Sequence, residues 1–178
     1  DVDGDGIPYR TFPGVHPKGS YFTRGSGHTK YGAYTENSAD YQEVIDRLLV
    51  KWDTARTLVP DAEIRYSKFN KAAILTVGSG DGACKEALDR LDAQNAKLNY
   101  CRVRAFPFTD AVREFIDQHD VIYVVEQNRD AQLRTLLIED IDADQKKLVP
   151  VLHYDGMPLN AGSVVDGVLA EIKKGRAA

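Results

Sequence analysis

The sequence predicts an α/β protein built on a parallel β-sheet. From residue 71 onward, four short apolar stretches are each followed by a stretch in which apolar and polar residues alternate at helical spacing. Short, nearly continuous apolar strands separated by amphipathic helices are typical of a parallel sheet that helices cover on both faces. The chain has 178 residues, of which 43% are hydrophobic and 28% are charged, so it is long enough to bury one core of ordinary size.

Charge, hydropathy and cysteine content exclude several classes of protein. The formal net charge of -4 argues against a nucleic-acid-binding protein, which shows a concentrated basic face. No apolar run reaches the length that spans a bilayer, so no membrane insertion is expected. Cys84 and Cys101 are the only cysteines, and they form no C-x-x-C pair, so we predict no zinc or iron–sulfur site in this chain. The N-terminus does not have the pattern of a signal peptide, and we therefore expect a cytoplasmic location.

The first six residues, DVDGDG, resemble the opening of a calcium-binding loop. Asp1, Asp3 and Asp5 stand where such a loop places its oxygen ligands, and Gly6 stands at its turn. The twelfth position, which should hold a bidentate glutamate, is Phe12. The alternative is a turn in which Asp side chains bond to the backbone and Gly residues adopt left-handed conformations.

A long amphipathic helix is predicted at about residues 38–59. Asn37 or Ser38 caps its start, and Pro60 ends it. Apolar residues recur within it at helical spacing and are expected to form a packing face. These residues are Tyr41, Val44, Ile45, Leu48, Leu49, Trp52 and Ala55.

Two parts of unlike composition follow from these patterns. Residues 1–36 are rich in Gly, Pro and Tyr, which predicts an extended segment that lies against a surface. We interpret residues 1–70, that is this segment and the helix, as an interdomain connector. Residues 71–178 are predicted to form the α/β domain, with four strands in AAILTV, LNYCRVR, DVIYVVE and KLVPVL.

The functional crevice of an open parallel sheet lies at the carboxyl ends of its strands. The residues that we expect at this crevice, or at an interface formed there, are Gly78, Gly80, Arg104, Glu126, Gln127, Asn128 and Arg129. The most polar of these loops also fits a helix N-cap in which Asn128 or Asp130 accepts backbone amide bonds. No Ser or Cys stands in a nucleophile-elbow pattern beside His153, so we assign no catalytic residue.

A dinucleotide-binding pattern offers one hypothesis for this crevice. Gly78, Gly80 and Ala83 stand as G-x-G-x-x-A between a strand and a helix. The acid that binds the ribose of NAD is missing after the next strand, but Arg102 or Arg104 could meet the 2′-phosphate of NADP. A free-standing NADP-binding module is therefore an alternative function, and a tight strand-to-helix turn is the structural alternative.

Five stretches, taken in order, are similar to a known family. They read DGIPYRTFPG, HPKGSYFTRGSGH, LNYCRVRAFPFTDAVREFI, VIYVVEQNRDAQLRTLL and LHYDGMPLNAGSVVDGVL. They resemble the C-terminal part of the alpha subunit of 2-oxoacid:ferredoxin oxidoreductases, nearest the 2-oxoglutarate type, 2-oxoglutarate synthase. The resemblance implies a Rossmann-like domain similar to the transketolase C-terminal domain. It also implies a non-catalytic, assembly-bearing part of a complex that converts a 2-oxoacid, with 2-oxoglutarate favoured, to an acyl-CoA and reduces ferredoxin.

The resemblance also implies where the cofactors of the whole enzyme lie. The family's Tyr-Pro-Ile-Thr-Pro stretch and its cluster cysteines are not present in this sequence. Thiamine diphosphate, Mg²⁺ and the [4Fe-4S] cluster are therefore expected in other parts of the complex, and this chain alone is expected to bind no cofactor and to be inactive. The implied partners are the remaining domains of the alpha subunit and the beta subunit, with ferredoxin and coenzyme A acting on the complex. Under this interpretation the Asp/Gly run at the N-terminus is part of a connector.

Overall fold

A computed structural model describes residues 1–20, 25–67 and 71–176. The chain divides into two compact units, Asp1–Leu58 and Val59–Ala178. Part of the predicted extended segment, residues 21–24, lies outside the described residues. Among the described helices, none has both the length and the apolar content needed to cross a bilayer.

The first unit contains the predicted long helix, α1, at Ser38–Leu58. Asn37 caps it, because its side-chain oxygen accepts bonds from the backbone amides of Ala39 and Asp40 at 2.9 and 3.3 Å. The helix is thereby confirmed. The packing face expected on this helix is not confirmed, because Val44 is the only buried residue of α1 and Trp52 is 44% exposed.

The second unit is a five-stranded sheet with the order β1-β3-β2-β4-β5. The strands are β1 (Glu63–Arg65), β2 (Ala72–Val77), β3 (Asn99–Val103), β4 (Val121–Glu126) and β5 (Leu148–Leu152). The last four run parallel, and β1 pairs antiparallel with the outer edge of β3. The predicted α/β class with a parallel sheet is confirmed.

Strand β1 was not predicted from the sequence. Its three residues, EIR, show no apolar run, and they lie in the stretch that the sequence assigns to the connector. The strand exists because its backbone pairs with β3, with Ile64 opposite Cys101. The sheet therefore begins before residue 71, where the sequence places the start of the domain. The interpretation of residues 1–70 as an interdomain connector stays a prediction.

Four helices cover the two faces of the sheet. They are α2 (Gly80–Asp92), α3 (Asp110–Asp117), α4 (Gln132–Ile141) and α5 (Ala161–Lys173). Helices α2 and α5 pack on one face, around Tyr100 and Tyr123, and α3 and α4 pack on the other, around Phe108 and Phe115. The chain therefore passes from β2 to β3 on one side of it, and then crosses over β2 to β4 on its other side. Such a reversal opens a crevice at the carboxyl ends of β2 and β4.

Candidate functional site

A crevice of about 480 Å³ lies at the carboxyl ends of β2, β3 and β4. Six of the residues proposed from the sequence line it, namely Gly78, Gly80, Arg104, Glu126, Gln127 and Asn128. The seventh, Arg129, is not among the lining residues; its guanidinium lies 2.8 Å from the carboxylate of Asp130 and its side chain is 74% exposed. The crevice is walled in addition by apolar side chains that the sequence did not single out, including Phe106, Leu136 and Leu159.

The glycine turn after β2 is shaped by packing. Gly78 has a φ of +64°, a left-handed conformation that most side chains disfavour. Gly80 opens α2, and a Cβ there would lie 2.5 Å from the hydroxyl oxygen of Thr76 and 3.6 Å from Leu159. That hydroxyl in turn donates to the carbonyl of Val125 at 2.9 Å. Gly80 is therefore explained by close packing against Thr76 and Leu159, as the alternative of a tight strand-to-helix turn predicts.

An ion cluster beside this turn holds one of the two arginines proposed for an NADP phosphate. Arg102 lies 3.4 Å from the carboxylate of Asp81 and 3.8 Å from that of Glu63. Asp81 also contacts Lys85 at 2.8 Å and accepts a bond from the Tyr100 hydroxyl at 2.7 Å. Burial by itself would raise the pKa of Asp81, but Lys85 and Tyr100 outweigh it and hold that pKa below its usual value. Arg102 is thus bound to carboxylates, and the geometry does not favour the NADP hypothesis.

Glu126, at the end of β4, is the cap of helix α4. It is only 4% exposed, and its carboxylate accepts bonds from the backbone amides of Leu133 at 2.7 Å and Arg134 at 3.2 Å. The side-chain amide of Asn128 donates a third bond at 2.7 Å. These amides belong to the first turn of α4, whose N–H groups have no partner within the helix. The sequence did not indicate this role, because Glu126 precedes the helix by six residues and cap rules consider adjacent positions.

Asn128 and Gln127 fasten the same loop in two other ways. The side-chain oxygen of Asn128 accepts bonds from the backbone amides of Asp130 at 3.0 Å and Gln132 at 3.2 Å, as the capping alternative predicts. Gln127 donates to the hydroxyl of Ser79 at 3.0 Å and accepts from the backbone amide of Leu159 at 3.3 Å. It therefore joins the loops that follow β2, β4 and β5.

Arg104 differs from the other polar residues of the crevice. It is exposed, and it makes no hydrogen bond or ion pair with any residue in the described ranges 1–20, 25–67 and 71–176. The crevice therefore contains a positive charge beside an apolar wall, while the side chains of Glu126, Gln127 and Asn128 are used to hold loops together.

The calcium-like loop of the first unit uses its carboxylates internally. Asp1 accepts bonds from the backbone amides of Gly4 at 2.9 Å and Gly6 at 2.8 Å. Asp5 accepts from the amide of Ile7 at 2.8 Å. These are the side-chain-bonded turns of the alternative interpretation. Within the part of the chain that the structure describes, no group of three or more His, Cys, Asp or Glu side chains could hold a metal ion.

Gly6 of this loop is required by its contact with helix α1. It is buried with a φ of +78°, and a Cβ at this position would collide with the backbone of Val50 and Lys51. Arg47 donates to the Gly6 carbonyl at 2.6 Å, and Thr54 donates to the Asp5 carbonyl. The glycine that suggested a calcium loop is thus explained by close packing against a helix.

The remaining groups with chemical potential are buried away from the crevice. Cys84 packs in the core on the α2 and α5 side, whereas Cys101 packs on the α3 and α4 side, and burial raises the pKa of each thiol to about 12. His119 is buried between the carbonyl of Phe115 and the side chain of Asn99, and burial lowers its pKa. These contacts fit the tautomer in which Nδ1 donates to the carbonyl and Nε2 accepts from the amide. None of the three can act at the crevice.

No family model matches the chain, but comparison with known proteins finds similar ones. The chain is 27% identical over 157 residues to a 2-oxoacid:ferredoxin oxidoreductase subunit alpha of Saccharolobus solfataricus, which covers 85% of this chain and 24% of that protein. The structure of this chain matches a 2-oxoglutarate:ferredoxin oxidoreductase from Magnetococcus marinus with a TM-score of 0.77 and 22% identity. That enzyme was solved with 2-oxoglutarate, coenzyme A and succinyl-CoA bound. That match covers 94% of this chain and 29% of the solved one.

A second solved structure is the alpha chain of a probable 2-oxoacid ferredoxin oxidoreductase from Thermoplasma acidophilum. It is 20% identical, with a TM-score of 0.44, over 64% of this chain and 97% of that one. The resemblance to 2-oxoacid:ferredoxin oxidoreductase alpha subunits that the sequence predicts is confirmed by the curated relative. The chain spans about a quarter of that relative's length. The comparisons do not support the NADP-binding alternative.

Proposed function

We propose that this chain is an assembly-bearing, non-catalytic α/β domain of the alpha subunit of a thiamine-diphosphate-dependent 2-oxoacid:ferredoxin oxidoreductase. The complex would decarboxylate a 2-oxoacid, form an acyl-CoA and reduce ferredoxin. The observation that carries the proposal is the similarity to a curated alpha subunit over 157 residues. We favour 2-oxoglutarate as the substrate, because the solved enzyme with the matching fold was obtained with 2-oxoglutarate and succinyl-CoA.

The chemistry of the crevice supports a non-catalytic role. A catalytic acid, base or nucleophile needs a group that is accessible and has a pKa suited to proton transfer. Glu126 is buried and bonded to three donors, and both thiols are buried with pKa values of about 12. The described crevice therefore offers a cation and an apolar wall, but no pair of groups arranged for acid–base or nucleophilic work.

The residues of this chain do not fit the cofactors of such an enzyme. A [4Fe-4S] cluster needs four thiolates, whereas the sequence has two cysteines, and these lie on opposite faces of the sheet. A magnesium diphosphate site needs converging carboxylate and carbonyl oxygens, and the described residues contain no such carboxylate group. We therefore assign thiamine diphosphate, Mg²⁺ and the cluster to the rest of the alpha subunit and to the beta subunit. A cytoplasmic location is part of the proposal, because both cysteines are free thiols.

Anaerobic reconstitution tests the proposal. The purified chain is assayed with 2-oxoglutarate, coenzyme A, thiamine diphosphate, Mg²⁺ and a viologen acceptor, first alone and then with the rest of the alpha subunit and the beta subunit. Turnover is expected only in the assembled enzyme. Turnover by the chain alone, retained in a Cys84→Ala, Cys101→Ala variant, would show that the active site has been misplaced. Pyruvate in place of 2-oxoglutarate tests the choice of substrate.

A further inference from the structure

The exposed apolar side chains of the second unit gather at one edge of its sheet. Among the described residues from 59 onward, the large apolar side chains with substantial exposure are Tyr66, Val77, Phe106, Leu136, Tyr154 and Met157. Tyr66 is a member of another cluster, stacked on His119. The other five lie at the ends of parallel strands, in the loops that follow them, or on the helix wall of the crevice. This clustering is more than the scatter of single apolar residues that protein surfaces normally carry.

Two of these residues are strongly exposed beside the crevice. Tyr154 and Met157 are 63% and 68% exposed, and both stand in the loop between β5 and α5. The same loop contains Leu159, which lines the crevice and whose amide is bonded to Gln127. The loop therefore adjoins the crevice at Leu159. We call Val77, Arg104, Phe106, Leu136, Tyr154 and Met157 together the carboxyl-edge surface.

The composition of the carboxyl-edge surface is that of a protein interface. The buried centres of interfaces are enriched in aromatic residues, methionine and arginine, and depleted of lysine and acidic residues. Arginine and tyrosine are also common among the residues that contribute most to binding energy. Arg104 is the cation of this surface without a counter-ion in the described residues, so the matching partner carries a carboxylate.

A small-molecule ligand fits this area less well than a protein does. Ligand pockets rely on a few polar groups that converge on the ligand and are free to bind it. Here Gln127 is bonded at both ends of its amide, and Glu126 and Asn128 are occupied in capping α4. The exposed apolar side chains also extend past the crevice into the loop after β5. What remains available is apolar contact over a broad area, with the guanidinium of Arg104, the exposed side chain of Gln132 and, in the loop after β5, the carboxylate of Asp155.

We propose that the carboxyl-edge surface docks a folded protein partner that places an apolar side chain in the crevice and a carboxylate on Arg104. The inference rests on the proposed function for the partner's identity, which is the remainder of the same oxidoreductase. It goes beyond that function by assigning the residues of contact. Phe106 and Leu136 line the pocket for the apolar anchor, and Arg104 sets its orientation.

Binding in trans tests the inference. The chain is titrated onto the rest of the alpha subunit together with the beta subunit, and the dissociation constant is measured for the wild type, R104E and L136Q. We expect at least a tenfold weaker binding for each variant, with an unchanged melting temperature of the chain. The matched control is R90E, since Arg90 is an exposed, ion-paired arginine in the last turn of α2, away from this edge. Its dissociation constant should equal that of the wild type.

Photo-crosslinking and a charge swap identify the partner side. Replacing Tyr154, which is strongly exposed, with p-benzoylphenylalanine should give adducts on the remainder of the enzyme, and the partner carboxylate nearest these adducts is changed to lysine. That change should weaken binding of the wild type and restore binding of R104E. Wild-type affinity in both R104E and L136Q would overturn the inference and leave the proposed function intact. Adducts on a second copy of this chain would overturn it in favour of self-association, and failure of the wild type to bind at all would overturn both.

Discussion

Replacing Glu126 by alanine should destabilise the second unit, because the carboxylate of Glu126 caps helix α4. The substitution leaves the amides of Leu133 and Arg134 without their acceptor in the first turn of α4, and Leu133 is buried. A buried donor that loses its partner costs about 1–3 kcal/mol, and loss of a helix cap costs about 0.5–2 kcal/mol. We therefore expect E126A to lower the free energy of unfolding by about 3 kcal/mol, or roughly 6–12 °C in melting temperature for a chain of this size.

Urea unfolding followed by far-UV circular dichroism measures this difference. E126Q keeps one side-chain oxygen as an acceptor, so its loss should be about half as large. The control is E139A, because Glu139 is exposed on the same helix and should change stability by no more than about 0.5 kcal/mol. If E126A is as stable as E139A but assembles poorly with the rest of the enzyme, the capping role is wrong and Glu126 serves binding instead.

Three further predictions concern groups outside the crevice. G6A should destabilise the first unit by at least about 1 kcal/mol more than G4A does, because both glycines have a positive φ but only Gly6 contacts the backbone of α1. Calcium should not shift the melting temperature of either variant. Burial lowers the pKa of His119 below its ordinary value of 6.5, so as the pH falls the unfolded chain binds a proton before the folded chain does. This contribution to stability is therefore fully present above pH 6.5 and is lost as the pH falls below that value. H119Q should flatten the dependence of the urea midpoint on pH between about pH 7.5 and 5. Cys84 and Cys101 should react with a thiol reagent only after unfolding, since burial raises both pKa values to about 12, and rapid native-state labelling would contradict this.

Much of the second unit follows from local sequence pattern. The apolar stretch AAILTV coincides with β2, and the three later parallel strands also lie within predicted stretches. Strands of this kind are recognisable because a strand buried on both faces is apolar at nearly every position. The position of the crevice follows from the same pattern, since it depends only on where parallel strands end. Strand β1 has no such signature, because its pairing with β3 alone makes it a strand.

The roles of individual polar residues required the tertiary structure. The sequence allowed Arg102 and Arg104 equally as ligands of a phosphate, yet Arg102 is held by Asp81 and Glu63 while Arg104 faces an apolar crevice without a counter-ion. Glu126 likewise acts as a helix cap because the fold places the first turn of α4 beside the end of β4, where the amides of Leu133 and Arg134 reach its carboxylate. The sequence by itself determined the class of fold, the order of its parallel strands along the chain and the resemblance to an alpha subunit, because periodicity and motif order are properties of neighbouring residues. Which charge is neutralised and which is left free was decided by contacts between residues far apart in the chain, and these exist only once the sheet has formed.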